Sequence, residues 1–109
     1  LSIPTDVWVA ALIRRAELGG AFATVARRGD ARAGSVLVKT YNPRTREAAL
    51  YAGAWGKDGE RMWMQPVDSH LESELDAYVE RTGRYDPDLW VVEIEDVEGR
   101  HFLTEAVEK

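Results

Sequence analysis

The sequence predicts an α+β domain in which a mostly antiparallel sheet is packed on one side by two helices, in the order α-β-β-β-β-α-β-β. Three observations carry that expectation. Two segments place apolar residues at helical spacing, the remaining apolar runs are short and rich in Val, Tyr, Trp and Ala, and the breaks between them collect Gly, Pro, Asn and Asp.

The first helix is read over about residues 6–18. Pro4 and Thr5 mark its entry, with Thr5 or Asp6 as the cap, because an oxygen acceptor and an acidic group are both favourable at the positive end of a helix. Trp8, Leu12 and Ala16 recur every fourth residue with Val9 and Ile13 beside them, and Gly19-Gly20 ends the stripe. "AFATVARR", "SVLVKTY", "EAALYAGAW" and "RMWMQPV" then read as four consecutive antiparallel strands, separated by "GDARAG", "NPRT" and "GKDG". The second helix is read over about 70–82. Ser69 and Glu72 have the spacing of a capping box, Leu71, Leu75, Tyr78 and Val79 form one stripe, and Gly83 stands where a C-cap glycine belongs. Asp86-Pro87-Asp88 redirects the chain, since the residue before proline is kept out of the helical region.

Glycine positions set two hairpin registers. With Gly59 left-handed in a bulged loop, Gly56 faces Glu60, Ala54 faces Met62 and Gly53 faces Trp63, so that Trp63 fills the space beside the glycine. Tyr51, Trp55 and Trp63 then share one face. With Gly99 in the same role, Glu95 faces His101, Ile94 faces Phe102 and Glu93 faces Leu103. Trp90, Val92, Ile94 and Phe102 become the core face, and Val91, Glu93, Glu95, His101 and Leu103 the opposite one.

Composition limits the function classes. At 109 residues, 45% hydrophobic and 30% charged, the chain has the size of a single domain spanning 1–109 with one core. The absence of Cys excludes disulfides, thiolate metal sites and cysteine nucleophiles, and it fits a reducing compartment. No apolar run approaches the roughly 18 residues of a membrane span and no signal-peptide pattern opens the chain, so a cytoplasmic protein is expected. A net charge of −5 argues against general nucleic-acid binding. Arg14, Arg15, Arg27, Arg28 and Arg32 crowd the first third and acidic residues the last, a lopsidedness that suits a partner protein or a second copy.

Three candidate sites follow. The leading expectation is a non-enzymatic interaction module, a homodimer or adaptor, using Tyr51, Trp55 and Trp63 as an exposed aromatic patch, because a small sheet normally has one uncovered face. The plainer alternative is that a helix covers those rings. The second candidate is a divalent-metal site of Glu93, Glu95 and His101 in a small hydrolase or metal-binding protein, set against ordinary pairing of Glu95 with His101 or Arg100 on a wet face. The third is an anion or nucleotide site formed by Arg27, Arg28 and Arg32 around the loop 27–34. Gly29 and Gly34 imitate a phosphate loop, but Ser35 stands where that motif needs Lys, and a strand follows where it needs a helix. Asp68, Ser69 and His70 diverge around a helix start and make no triad. No catalytic residue and no cofactor is implied.

"TDVWVAALIRR", "GDARAGSVLVK" and above all "YDPDLWVVEIEDVEGRHFL" resemble the domain-of-unknown-function family numbered 1491, short proteins of alphaproteobacteria. The resemblance covers nearly the whole chain and is weakest over about 42–68. It implies a bacterial, single-domain, cytosolic protein and brings no activity or catalytic residues with it.

Overall fold

A computed structural model of the chain describes residues 3–108. The elements are α1 (Thr5–Leu18), β1 (Phe22–Arg27), β2 (Val36–Tyr41), β3 (Ala48–Trp55), β4 (Arg61–Met64), α2 (Glu72–Tyr85), β5 (Trp90–Glu95) and β6 (Val107–Glu108), the order read from the sequence. They form one sheet ordered β1-β5-β2-β3-β4-β6.

The sheet is mixed, which corrects the mostly antiparallel expectation. β5 inserts between β1 and β2, antiparallel to the first and parallel to the second, and β6 lies parallel to β4. The run from β1 to β4 is therefore not a plain meander. The burial of the strands gives the reason. β2 is buried at every position from Val36 to Thr40 and β5 at Trp90, Val91 and Val92, so both strands need cover on two faces and belong in the middle of a sheet.

The helices lie on opposite faces, correcting the one-sided packing. Val9, Leu12 and Ala16 of α1 join Val36, Val38, Tyr51, Trp63, Trp90, Val92 and Ile94 in one core. Leu75 of α2 joins Leu37, Ala48, Leu50, Leu89 and Val91 in the other. Strand alternation divides the residues in the same way, since neighbours along a strand point to opposite faces.

The closing hairpin is not formed. Its turn is: Gly99 has φ 69° and donates its N–H to the Asp96 carbonyl at 3.0 Å, as read from the sequence. Among the described residues no strand returns beside β5, however, because both of its sides are taken by β1 and β2; Glu95 pairs with Phe22 and Tyr41, not with His101. The chain leaves through Phe102, a non-glycine residue at φ 61°, and reaches the far edge as β6. Arg100 binds the Asp96 carboxylate and donates to the Gly19 carbonyl at 2.9 Å, while Arg15 donates to the Phe102 carbonyl at 3.2 Å. That pins the departing segment to the end of α1.

The helix caps also differ from the reading. The N-terminus of α1 is closed by backbone, with the N–H groups of Thr5 and Asp6 donating to the carbonyls of Arg32 and Ala31. α2 begins at Glu72 without a side-chain cap, and the Ser69 hydroxyl instead meets Glu74. Gly83 lies inside α2, where a Cβ would collide with the Arg27 guanidinium. The β3–β4 register agrees with the sequence reading, with Gly53 opposite Trp63, although the space over Gly53 stays open.

Candidate functional site

The centre of charge on the α2 face is a lysine. Alternation along β2 puts Leu37, Lys39 and Tyr41 on that face, so the strand that buries Leu37 also buries Lys39, which is only 5% exposed. α2 supplies the compensation. Glu72 and Asp76, one turn apart at its start, reach the ammonium at 2.8 and 2.6 Å, and Glu93 of β5 lies at 3.7 Å. Burial pulls the Lys39 ammonium down, but hydrogen bonds and charge from Asp76 and Glu72 outweigh it and leave the group above its ordinary value. Lys39 therefore stays protonated at neutral pH and is an electrostatic fixture, not a base or nucleophile. It opens onto a groove of about 270 Å³ lined by Phe22, Thr24, Tyr41, Glu72, Glu93 and Glu95. Glu93 is shared with a second groove of about 280 Å³ that runs on past Val79, Glu80 and Gly83.

The predicted metal ligands are not brought together. Glu93 and Glu95 face α2, whereas His101 sits on the α1 side with its ring edge-on to Tyr51 at 5.0 Å. His101 Nδ1 accepts the Leu103 N–H at 2.9 Å, and burial pushes the imidazole below its ordinary value, so it is neutral at pH 7. Among the described residues no group of three or more His, Asp or Glu side chains is placed to hold an ion.

The aromatic trio is split as well. Trp63 is 0% exposed and stacks on Trp8 at 5.3 Å, and its indole N–H donates to Glu105 at 3.0 Å. Tyr51 is buried, so only Trp55, at 74% exposure, faces solvent. The cover comes from α1 and from the C-terminal segment, whose Ala106 carbonyl accepts the Trp63 backbone N–H and whose Leu103 and Val107 pack against the same core.

The arginine loop is occupied by its own chain. Arg27 donates to the Asp86 carbonyl at 3.1 Å, Arg28 lies over the Trp90 ring at 4.9 Å, and the Asp30 carboxylate takes the N–H groups of Arg32 and Ala33. Gly29 and Gly34 have a packing role, since a Cβ on either would run into the Asp88 carbonyl and the Trp90 ring. Trp90 Nε1 in turn donates to the Asp30 carbonyl at 2.7 Å. The two most distinctive stretches of the sequence, "GDARAGSVLVK" and "YDPDLWVVE", are thus docked on each other.

A family model described as "Protein of unknown function (DUF1491)" matches residues 3–104. The chain belongs to the DUF1491 family. A crystal structure of a DUF1491 family protein from Caulobacter crescentus CB15 is 68% identical, covers 98% of this chain and 100% of its own, and superposes with a TM-score of 0.96. An NMR structure of a DUF1491 family protein from the same organism is 67% identical, covers 100% of this chain and 99% of its own, and has a TM-score of 0.92. A solution structure of a protein from A. tumefaciens is 31% identical across 100% of this chain and 98% of its own, with a TM-score of 0.81. No curated protein matches the chain. Sequence reasoning missed Lys39, Glu72 and Asp76 of this DUF1491 chain. The signal was a lysine at an inward strand position, between Leu37 and Tyr41, and an acidic pair four residues apart at a helix start.

Proposed function

We propose that this DUF1491 protein is a non-enzymatic interaction module of the bacterial cytoplasm that takes up an extended partner segment along β1. The observation that carries the reading is the outer edge of β1. β1 ends the sheet, pairs only with β5, and among the described residues no other backbone hydrogen-bonds to it. Edge strands carry unpaired N–H and C=O groups and are normally guarded by Lys, Pro or a helix. "FATVA" has neither residue, and Phe22 and Val25 are 64% and 41% exposed. A bulge between Val25 and Arg27 ends the regular edge, so Phe22–Val25 is the usable length. Strand addition at such an edge draws affinity from main-chain bonds and specificity from alternate side chains.

The test is amide exchange and NMR shift mapping with extended β-forming hexapeptides. Binding predicts shifts across the Phe22–Val25 amides and protection of those among them that point away from β5, lost in Thr24→Lys/Val25→Lys, which places charge on the edge. A panel that leaves those amides unmoved refutes the reading.

A further inference from the structure

We infer that the segment added to β1 is basic and that one of its Lys or Arg side chains enters the groove beside Lys39. This rests on the β1 reading. Among the described residues, the groove that adjoins β1 on the α2 side is lined by Glu72, Glu93 and Glu95 with Lys39 as its cation, and Arg27 and Arg84 line the adjoining groove that Glu93 also borders. Lys39 is already committed: Asp76 and Glu72 hold it at bonding distance, and Glu93 at 3.7 Å is left without a direct hydrogen bond from it. Glu95 makes no ion pair among the described residues. Two carboxylates spaced i, i+2 on one face of β5 therefore point into a groove with charge to spare.

The register places them within reach of an added strand. Glu93 and Glu95 pair directly with Thr24 and Phe22 of β1. With strands about 4.8 Å apart, a strand added outside β1 runs about 10 Å from β5. A lysine or arginine on its α2-facing side crosses the small Thr24 and meets the Glu93 carboxylate reaching back. The exposed ring of Phe22 gives the same cation an aromatic face on the way. A short neutral side chain cannot span that gap, and an acidic one meets like charge.

The charge pattern also decides against a second copy as the occupant. Residues 22–26 bring no cation, and Arg27 is bonded to the Asp86 carbonyl and packed on Gly83. A β1 edge from another molecule would leave Glu93 and Glu95 unanswered.

The experiment titrates the ¹⁵N-labelled chain with three extended hexapeptides of one alternating pattern, carrying Lys, Gln or Glu at the facing positions. The Lys peptide is expected to shift the Phe22–Val25, Glu93 and Glu95 amides and to bind about tenfold tighter than the Gln peptide, with the Glu peptide weakest. Glu93→Gln/Glu95→Gln, near-isosteric and at exposed sites, is expected to erase that preference. Equal binding of all three peptides at β1 overturns the basic-partner inference and leaves the edge reading standing. If no peptide moves β1, the edge reading falls and takes the inference with it. Protection of β1 by self-association without peptide makes the second copy the occupant and likewise overturns it.

Discussion

Replacing Lys39 by Met tests whether the lysine and its carboxylates hold α2 on the sheet. Met keeps the side-chain volume and removes the charge, so packing against Leu37 and Tyr41 is little changed. The loss comprises the ion-paired hydrogen bonds to Asp76 and Glu72 at 2.6 and 2.8 Å. Each charge-assisted bond contributes about 1.5–3 kcal/mol, but removing the ammonium also recovers a desolvation cost of several kcal/mol. Stranding a fully buried carboxylate costs about 3–5 kcal/mol. Here Glu72, Asp76 and Glu93 are roughly half exposed and keep their water, so that penalty applies only in small part. Mutual repulsion of the carboxylates adds about 1 kcal/mol per close pair in a water-like dielectric. The expected net loss is about 2 kcal/mol, a fall in Tm of roughly 10 °C. The assay is urea unfolding at pH 7, repeated in about 1 M NaCl, where screening shrinks the deficit, and in Lys39→Met/Glu72→Gln/Asp76→Asn, which regains stability by removing the stranded charge. Because Lys39 is held above its ordinary value, its contribution is complete below that value and fades only as pH rises through the folded one. The wild-type advantage is therefore flat from about pH 6 to 9 and declines only in strong alkali. Lys39→Met as stable as wild type at low salt, or no recovery in the triple variant, refutes the reasoning.

Asp96, held down to about 2 first by the Arg100 side chain, stabilises the fold above the ordinary carboxylate value, and that stability is lost as pH falls through about 2. Asp96→Asn is expected to melt about 5 °C lower at pH 7 and to show a flatter profile below pH 4, read by circular dichroism. Gly34→Ala drives a Cβ into the Asp88 carbonyl and is expected to cost about 3 kcal/mol or more, whereas Gly53→Ala meets open space and gains about 0.5 kcal/mol in a strand; equal effects in urea titrations would dismiss the cradle argument. Iodide quenching is expected to act mainly on Trp55, so Trp55→Phe removes the quenchable emission while Trp63→Phe, which opens a gap against Trp8, lowers Tm instead. Melting is expected to be unmoved by EDTA or by added Mn²⁺ or Zn²⁺, since Glu93 and Glu95 face α2 and His101 faces the α1 side; a metal-dependent rise in Tm would reverse that placement.

What was legible at the site follows from how local each feature is. The turns at Gly59 and Gly99 depend on the conformation of one residue, and both glycines have the left-handed φ that the sequence reading assigned them. Tyr51, Trp55 and Trp63 were correctly put on one face, but their exposure depends on Trp8 and on residues 103–107, far away in sequence. A lysine in a strand ordinarily marks the wet face, so Lys39 gives no local signal of a buried site. Only the neighbours Leu37 and Tyr41, and a helix not yet placed on that face, show otherwise.

The last hairpin failed for a reason that was also written in the sequence. "LWVV" and "VLV" are continuous apolar runs, and a strand buried on both faces reads as a run instead of an alternation. Two such strands in so short a chain belong side by side in the middle of the sheet, with a helix on each face, and that is where β2 and β5 pair in parallel. Once β5 has a neighbour on either side, a strand returning from Gly99 has nowhere to pair. The Asp96–Arg100 turn then serves as an exit, turning the chain past Gly19 and over Trp63. The same insertion pushes β1 outward to the edge. One topological fact thus accounts for the missing hairpin, for the buried aromatic face and for the open strand on which the proposed function rests.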